Sequence, residues 1–229
     1  MNIIVNGGTR GIGKAVVVHL AKNKENQIIV TGRNNNSLQQ LSGAYNNVHS
    51  FIMDLSESKS GFAGYYDFTS STLGSVDILI NVAAAMINKG FLEISESEAH
   101  KIIETNFFGP ATIIKVLQPL MSKGSHIVNI SSMGGYQGTS KYPGLSYYSA
   151  SKAALAILSE CLAVEFREFG IKVNCLALGS VQSEMFNEAF PGHRASVSAE
   201  DMGEFIAEFA LTGHKVFNGK ILPVAISNP

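Results

Sequence analysis

Short runs of β-branched and other apolar residues alternate along the chain with stretches whose apolar positions recur every three or four residues. The runs predict strands at 2–6 (NIIVN), 27–32 (QIIVTG), 48–55 (VHSFIMDL), 76–81 (VDILIN), 126–131 (HIVNIS), 171–177 (IKVNCLA) and 220–224 (KILPV). The periodic stretches predict helices at 11–23, 36–43 and 199–211. A longer helix opens at a capping box, Ser95 with Glu98, and is expected to run to about Met121 with a bend near Pro110. Residues 56–75 carry only a weak helical pattern, interrupted by Gly61 and Gly64. A last helix, 147–166, places Leu155, Leu158, Leu162 and Phe166 on one stripe, with Ala154 and Cys161 beside them. Alternation of apolar strands with helices predicts an α/β, doubly wound parallel sheet of about seven strands, covered by helices on both faces. In such sheets ligands bind outside the carboxyl ends of the strands, so the residues that follow each strand carry the functional information.

Composition narrows the function classes. A length of 229 residues suits one domain spanning 1–229, able to bury roughly 70% of its unfolded surface without staples. Net charge is −1, from 17 basic and 18 acidic residues, and no basic patch stands out, which argues against nucleic acid or an anionic membrane as partner. Cys161 and Cys175 show no metal or redox spacing; both lie in apolar runs and are expected to be reduced core residues, with no metal bound. The amino terminus lacks the features of a signal peptide, and the longest apolar run, VDILINVAAAMI, is too short to span a bilayer. The closing SNP matches no targeting tail, and a cytoplasmic location is expected.

The strand ends, taken in order, carry the chemistry. Strand one runs into NGGTRGIG, where Gly7, Gly11 and Gly13 mark a tight turn opening a helix, a nucleotide-phosphate site spaced G-x-x-x-G-x-G. Strand two ends in TGRN: Gly32 stands where an NAD site carries Asp or Glu, and Arg33 follows, with Arg10 able to converge from the glycine turn. Two arginines and no acid point to a 2′-phosphate, hence NADP(H). After strand three, Asp54 is a candidate acceptor for an adenine amino group, with Leu55 beneath the ring, or else a helix N-cap. After strand four, Asn81 either ties neighbouring strand ends together or is a satisfied turn residue. After strand five come Ser131 and Ser132, then a long Gly-rich loop, 133–146, carrying Tyr136, Lys141 and Tyr142. That loop delivers SYYSASK, in which Tyr148 lies four residues before Lys152 and Tyr147 lies five before it. On a helix only the first pair shares a face. A cation beside a phenol lowers its pKa from near 10, so Tyr148 and Lys152 can trade a proton with a substrate oxygen.

Together these features resemble the short-chain dehydrogenase/reductase family in its short, single-domain, Rossmann-type form, over almost the whole chain. NGGTRGIG matches the family's glycine turn, NVAA its Asn-x-Ala-Gly element, ETNFFGP its helix asparagine, VNISS its serine, YSASK its Tyr-x-x-x-Lys, and VNCLALGSVQSEM its Pro-Gly stretch. The resemblance implies an NADP(H)-dependent carbonyl reductase or alcohol dehydrogenase. Tyr148 would be general acid or base, Lys152 would lower its pKa and bind the nicotinamide ribose, Ser132 would hold the substrate carbonyl, and Asn106 would hold a water linking Lys152 to solvent. Cofactor contacts would come from Gly7, Thr9, Arg10, Gly11, Ile12, Gly13, Arg33, Asp54, Leu55, Asn81, Ala83, Tyr148 and Lys152, with Val181 and Ser183 meeting the carboxamide. The chain departs from the family pattern at Asn6 (usually Thr), Ala84 (usually Gly), Leu178 (usually Pro) and in the final PVAISNP, which replaces a VDGG-like ending. The loop after Ser132 is about three residues longer than usual, and the short segment 182–198 suggests an open substrate site. A homodimer or homotetramer acting on a small carbonyl or alcohol is the resulting expectation. A catalytically silent NADP-binding sensor is the alternative, and the intact Ser–Tyr–Lys–Asn set speaks against it.

Overall fold

The computed structural model describes residues 1–57, 62 and 64–226; Gly61 and the closing SNP lie outside the described residues. Among the described residues nine strands are present: β1 (Asn2–Asn6), β2 (Gln27–Gly32), β3 (Val48–Ile52), β4 (Val76–Asn81), β5 (Met121–Ser132), β6 (Lys172–Leu178), β7 (Val181–Gln182), β8 (Val197–Ser198) and β9 (Ile221–Val224). Seven form one parallel sheet in the order β3-β2-β1-β4-β5-β6-β9, and β7 pairs with β8. The chain moves outward from β1 to β2 and β3 on one side, then crosses to β4 on the other. The switch point, and hence the crevice for a ligand, lies beyond the ends of β1 and β4.

The helices are α1 (Gly11–Ala21), α2 (Asn35–Ala44), α3 (Tyr65–Leu73), α4 (Glu96–Ile103), α5 (Gly109–Leu117), α6 (Ser146–Glu165), α7 (Glu184–Ala189) and α8 (Ala199–Thr212). Alternate residues of each central strand enter different cores, as a period of two requires. Ile3, Val5, Ile78 and Ile80 pack with α1 and α8 residues such as Val16, Leu20 and Ile206. Ile4, Leu79, Ile127 and Val173 pack on the opposite face with Ile113, Leu117 and Ala163. Among the described residues, no helix is long and apolar enough to cross a membrane.

Several boundaries differ from expectation for identifiable reasons. β3 ends at Ile52 rather than residue 55, because the Asp54 carboxylate accepts from the Ser56 N–H (2.9 Å) and hydroxyl (2.8 Å). Such an Asx turn closes the backbone on itself and ends the strand. The capping box at Ser95 and Glu98 forms, but the helix it opens is not continuous: a π-turn, Glu104–Phe108, separates α4 from α5. Pro110 sits in the first turn of α5 and has no N–H to give the carbonyl of Asn106, four residues back. The buried stripe of α6 is also offset. It consists of Ser151, Lys152, Leu155, Ala156, Ser159 and Ala163, while Leu158 and Leu162 are half-buried. Small and polar residues face the sheet there because the strands beneath end in polar side chains, and the larger leucines flank them. As a consequence Cys161 is exposed; only Cys175 is a core cysteine, and both are free thiols.

Candidate active site

β1 and β4 end in asparagine, β5 carries one three residues before its end, and the parallel register sets these side chains in one row. Asn6 lies opposite Thr31 and Asn81, Asn81 opposite Asn129, and Asn129 opposite Cys175. The row is wired through. Thr31 Oγ1 and the Tyr65 hydroxyl donate to Asn6 Oδ1 (3.0 and 3.1 Å), Asn6 Nδ2 to Asn81 Oδ1 (2.8 Å), Asn81 Nδ2 to Asn129 Oδ1 (2.8 Å), and Asn129 Nδ2 to Ser159 Oγ (2.9 Å). All of these amides are buried, and a row of matched partners holds the strand ends at fixed spacing. Asn81 therefore ties strand ends together. The cavity above is lined by the next residues, Val82 and Ala83.

One layer further along, β5 continues past the end of β4. The carbonyl of Ile130, without a β4 neighbour, accepts from Lys152 Nζ at 2.7 Å. Ser131 donates its hydroxyl to the Lys152 carbonyl (2.8 Å), so it is spent on holding α6. Ser132 accepts from the Gly134 N–H (3.1 Å), which leaves its own proton free to point into the cavity. Lys152 Nζ stands 6.0 Å from the Tyr148 ring centroid. Tyr147 turns away and stacks on Phe91 at 5.7 Å, as the helical register requires. Asn106, in the π-turn, accepts from Ala85 N (2.7 Å) and donates to Ala85 O and Ser151 Oγ (both 2.9 Å), bracing the loop after β4 against α6. Its amide is thus fully occupied, so a water held by Asn106 would need the backbone carbonyl.

The electrostatics differ from expectation at one point. Burial pushes the Tyr148 phenol up, and the adjacent Ser132 hydroxyl pulls the other way. The phenol is not drawn down by Lys152, because the ammonium is directed at Ile130 and is itself pushed down to about 8 by burial. Part of the Tyr148 side chain faces the open cavity, which limits the upward push.

Apart from Asn81 and Asn106, every residue assigned above to cofactor or chemistry lines one cavity of about 650 Å³. A nicotinamide dinucleotide fits what lines it. Gly7 has φ +88°, and a Cβ there would stand 2.5 Å from the Ala83 backbone. A Cβ at Gly13 would stand 2.1 Å from the Gly7 carbonyl, so the turn can only be this tight with glycine. The first N–H groups of α1 have no side-chain cap and face the turn, a ready anion site. Gly32 abuts Thr9: a Cβ there would lie 2.4 Å from Thr9 Cγ2, so no acidic side chain fits at that position unless Thr9 moves. Arg33 is 3.6 Å from Asp54, and Arg10 pairs with Glu188 of α7. Asp54 is thus engaged by Ser56 and Arg33 and caps no helix.

Other readings are refined. Segment 182–198 is no bare rim: Ser183 caps α7, accepting from Phe186 N (3.3 Å), and α7 lies beside the glycine turn. The open site expected there is therefore partly roofed. The Leu178–Gly179 backbone is held despite the missing proline, since Gly179 N donates to Val224 O at 2.9 Å. The loop 133–146 divides, with Tyr142 on the cavity and Tyr136 and Lys141 on a separate groove beside α6. Sequence reasoning missed the Ile130 carbonyl, Ser151, Glu188 and the cavity-lining Met86, Phe186 and Phe190. Only the asparagine row left a signal, in the repeated apolar runs closed by asparagine, IIVN, ILIN and IVN.

The chain is similar to known proteins in sequence and fold. The family model described as short chain dehydrogenase matches residues 1–194. An uncharacterized oxidoreductase of Staphylococcus saprophyticus is 28% identical over 208 residues, covering 88% of this chain and 87% of the relative. Among solved structures, a short chain dehydrogenase from Burkholderia cenocepacia in complex with NADP superposes with a TM-score of 0.87 at 21% identity, covering 97% of this chain and 95% of the other. A 3-ketoacyl-(acyl-carrier-protein) reductase from Brucella melitensis complexed with NADH does so with a TM-score of 0.84 at 19% identity, covering 98% and 96%. These two show the fold. The family match, extending from the glycine turn through the Tyr148–Lys152 helix and past α7, shows that the chain belongs to the short-chain dehydrogenase/reductase family and is an oxidoreductase.

Proposed function

We propose that the protein interconverts a carbonyl and an alcohol with NADP(H) as cofactor. The observation that carries this reading is the placement of the Ser132 and Tyr148 side chains, with Lys152 behind them, on the wall of the cavity that also contains the glycine turn. A silent binding module has no use for that set. When bound, the cofactor supplies or takes up the hydride. The chain's own residues handle the oxygen. Ser132 donates a hydrogen bond to the carbonyl oxygen, where charge develops in reduction. Tyr148, kept protonated by its raised pKa, gives that oxygen its proton. Lys152 has one N–H on Ile130 and two remaining, one for the cofactor ribose and one toward the phenolate left on Tyr148. Asn106, relieved of a helical donor by Pro110, offers its carbonyl to a water that returns the proton.

The preference for NADP(H) rests on Gly32, where an acid would have to displace Thr9, and on Arg10 and Arg33, which line the same cavity. One structural neighbour binds NADP and another NADH, so the local residues carry the argument. The cavity walls at Met86, Met133, Leu145, Phe186 and Phe190 favour a substrate with an apolar body. NADPH consumption measured against ketones, aldehydes, quinones and 3-oxoacyl thioesters tests the reading. Turnover of at least one class supports it; NADPH binding with no turnover across the panel favours the sensor. We also propose a homodimer or homotetramer formed through α5 and α6; on α6 the outer residues Ile157 and Val164 are exposed. A monomer in light scattering at micromolar concentration would contradict this.

A further inference from the structure

At the phosphate end of the cavity stand two carboxylates that the proposed reaction does not use, Glu184 on its wall and Glu188 joined to it through the cavity-lining Arg10. Both come from α7. Glu188 makes a two-pronged contact with Arg10, Nη1 to Oε1 at 2.5 Å and Nη2 to Oε2 at 3.3 Å. Glu184 lies over the glycine turn, its Oε2 3.1 Å from where a Cβ on Gly11 would stand. An anion site formed by a helix N-terminus and a guanidinium is thus answered by the protein's own acids. The helix bearing them is anchored at both ends. Val181 and Gln182, just before it, pair with Val197 and Ser198, and Asn88 Nδ2 donates to the Ala189 carbonyl at its end (2.8 Å). Arg10 and Glu188 are both well exposed, so the exchange needs only side chains to swing.

We infer that Glu184 and Glu188 stand in for cofactor phosphates in the cofactor-free protein, and that Glu188, by holding Arg10, tunes selection between NADPH and NADH. The inference rests on the reading of Arg10 as a 2′-phosphate ligand. The two acids have separable effects. A ligand that places a pyrophosphate at Gly11 must displace Glu184, whichever cofactor it belongs to. Only a ligand that needs Arg10 must also displace Glu188. Glu188 therefore weakens NADPH and leaves NADH alone, while Glu184 weakens both.

Fluorescence titration of NADPH and NADH into wild type, Glu188→Gln, Glu184→Gln and Arg10→Ala, at one fixed low ionic strength, tests this. An exposed ion pair is weak, so Glu188→Gln should tighten NADPH by about two- to five-fold with NADH unchanged. Glu184→Gln should tighten both cofactors by a common factor of similar size. If Arg10→Ala removes a preference for NADPH but Glu188→Gln binds like wild type, Arg10 reads the phosphate and Glu188 does not compete, which overturns the inference alone. If Glu188→Gln tightens both cofactors equally, the selective role is overturned. If Arg10→Ala leaves NADPH binding unchanged, the reading of Arg10 itself is wrong, and the inference falls with it.

Discussion

Two buried basic side chains meet β5, His126 from within the strand and Lys152 from α6 near its carboxyl end, and they are treated in opposite ways. Midway along the strand, His126 Nδ1 is 2.9 Å from the Ala210 carbonyl and Nε2 is 3.0 Å from Asn174 Nδ2. A neutral ring protonated at Nδ1 donates to the first and accepts from the second, so both nitrogens are matched. Asn174 is saturated in turn, giving its other N–H to Phe217 O (3.1 Å) and accepting from Lys220 N (3.2 Å). At the far end, Lys152 is equally buried but has one partner, Ile130 O, for three N–H groups. Burial depresses both, His126 to about 4 and Lys152 to about 8. The difference is spare hydrogen-bonding capacity. A buried polar group with every partner present contributes to stability, whereas one with donors left over beside a cavity is available for chemistry.

The comparison can be broken at either end, and the largest effects belong to the Lys152 end. Tyr148→Phe removes the proposed proton donor and should lower turnover by roughly 10²- to 10⁴-fold while NADPH still binds. Tyr147→Phe, whose ring only stacks on Phe91, should change turnover by less than about three-fold, well short of what loss of an acid–base group costs. A larger loss from Tyr147→Phe in steady-state kinetics would overturn the assignment. Next, Arg33→Ala should weaken NADPH by roughly 10- to 100-fold in titrations and leave NADH nearly unchanged, as the loss of one charge-assisted bond implies. Equal loss for both cofactors would make Arg33 structural. At the His126 end the effect is on stability. The folded protein keeps this ring neutral, so the unfolded chain takes up the proton first as pH falls from 6.5 toward about 4. Stability should therefore fall with acid in that window, by about 2 kcal/mol between pH 8 and pH 5, as read by urea unfolding. His126→Gln should flatten that slope, and an unchanged slope would show the ring is not the group responsible. The smallest effect concerns the cysteines: a thiol reagent should label Cys161 quickly in the native protein and spare Cys175, whose burial raises it to about 11.

Much of the β5 contrast was out of reach of the sequence. The sheet was legible because strands buried on both faces must read as apolar runs, and the glycine turn because only glycine fits there. The Tyr148–Lys152 pair was legible because helical register is a local property. What the sequence could not show depends on neighbours distant in the chain. The stripe of α6 moved because Asn129 and Ser131 of β5 select small polar residues above them, and that put Cys161 outside. The Ile130 carbonyl became an acceptor only because β4 ends before β5 does. Lys152 failed to lower the Tyr148 pKa because burial acts on both groups and Ile130 redirects the ammonium. The partner of Arg10, Glu188, lies 178 residues away in sequence, on a helix too short to announce itself.

One paired measurement tests the contrast most directly: unfolding free energy and NADPH-dependent turnover for Lys152→Met and His126→Leu. Replacing Lys152 removes a poorly satisfied buried cation together with one hydrogen bond, so stability should stay within about 1 kcal/mol of wild type. Turnover should fall by roughly 10²-fold or more. Replacing His126 strands the Ala210 carbonyl and an Asn174 N–H, so stability should drop by about 1–3 kcal/mol while turnover of the folded protein is kept. The reverse pattern, with Lys152→Met strongly destabilised and still active or His126→Leu stable and inactive, would contradict the account.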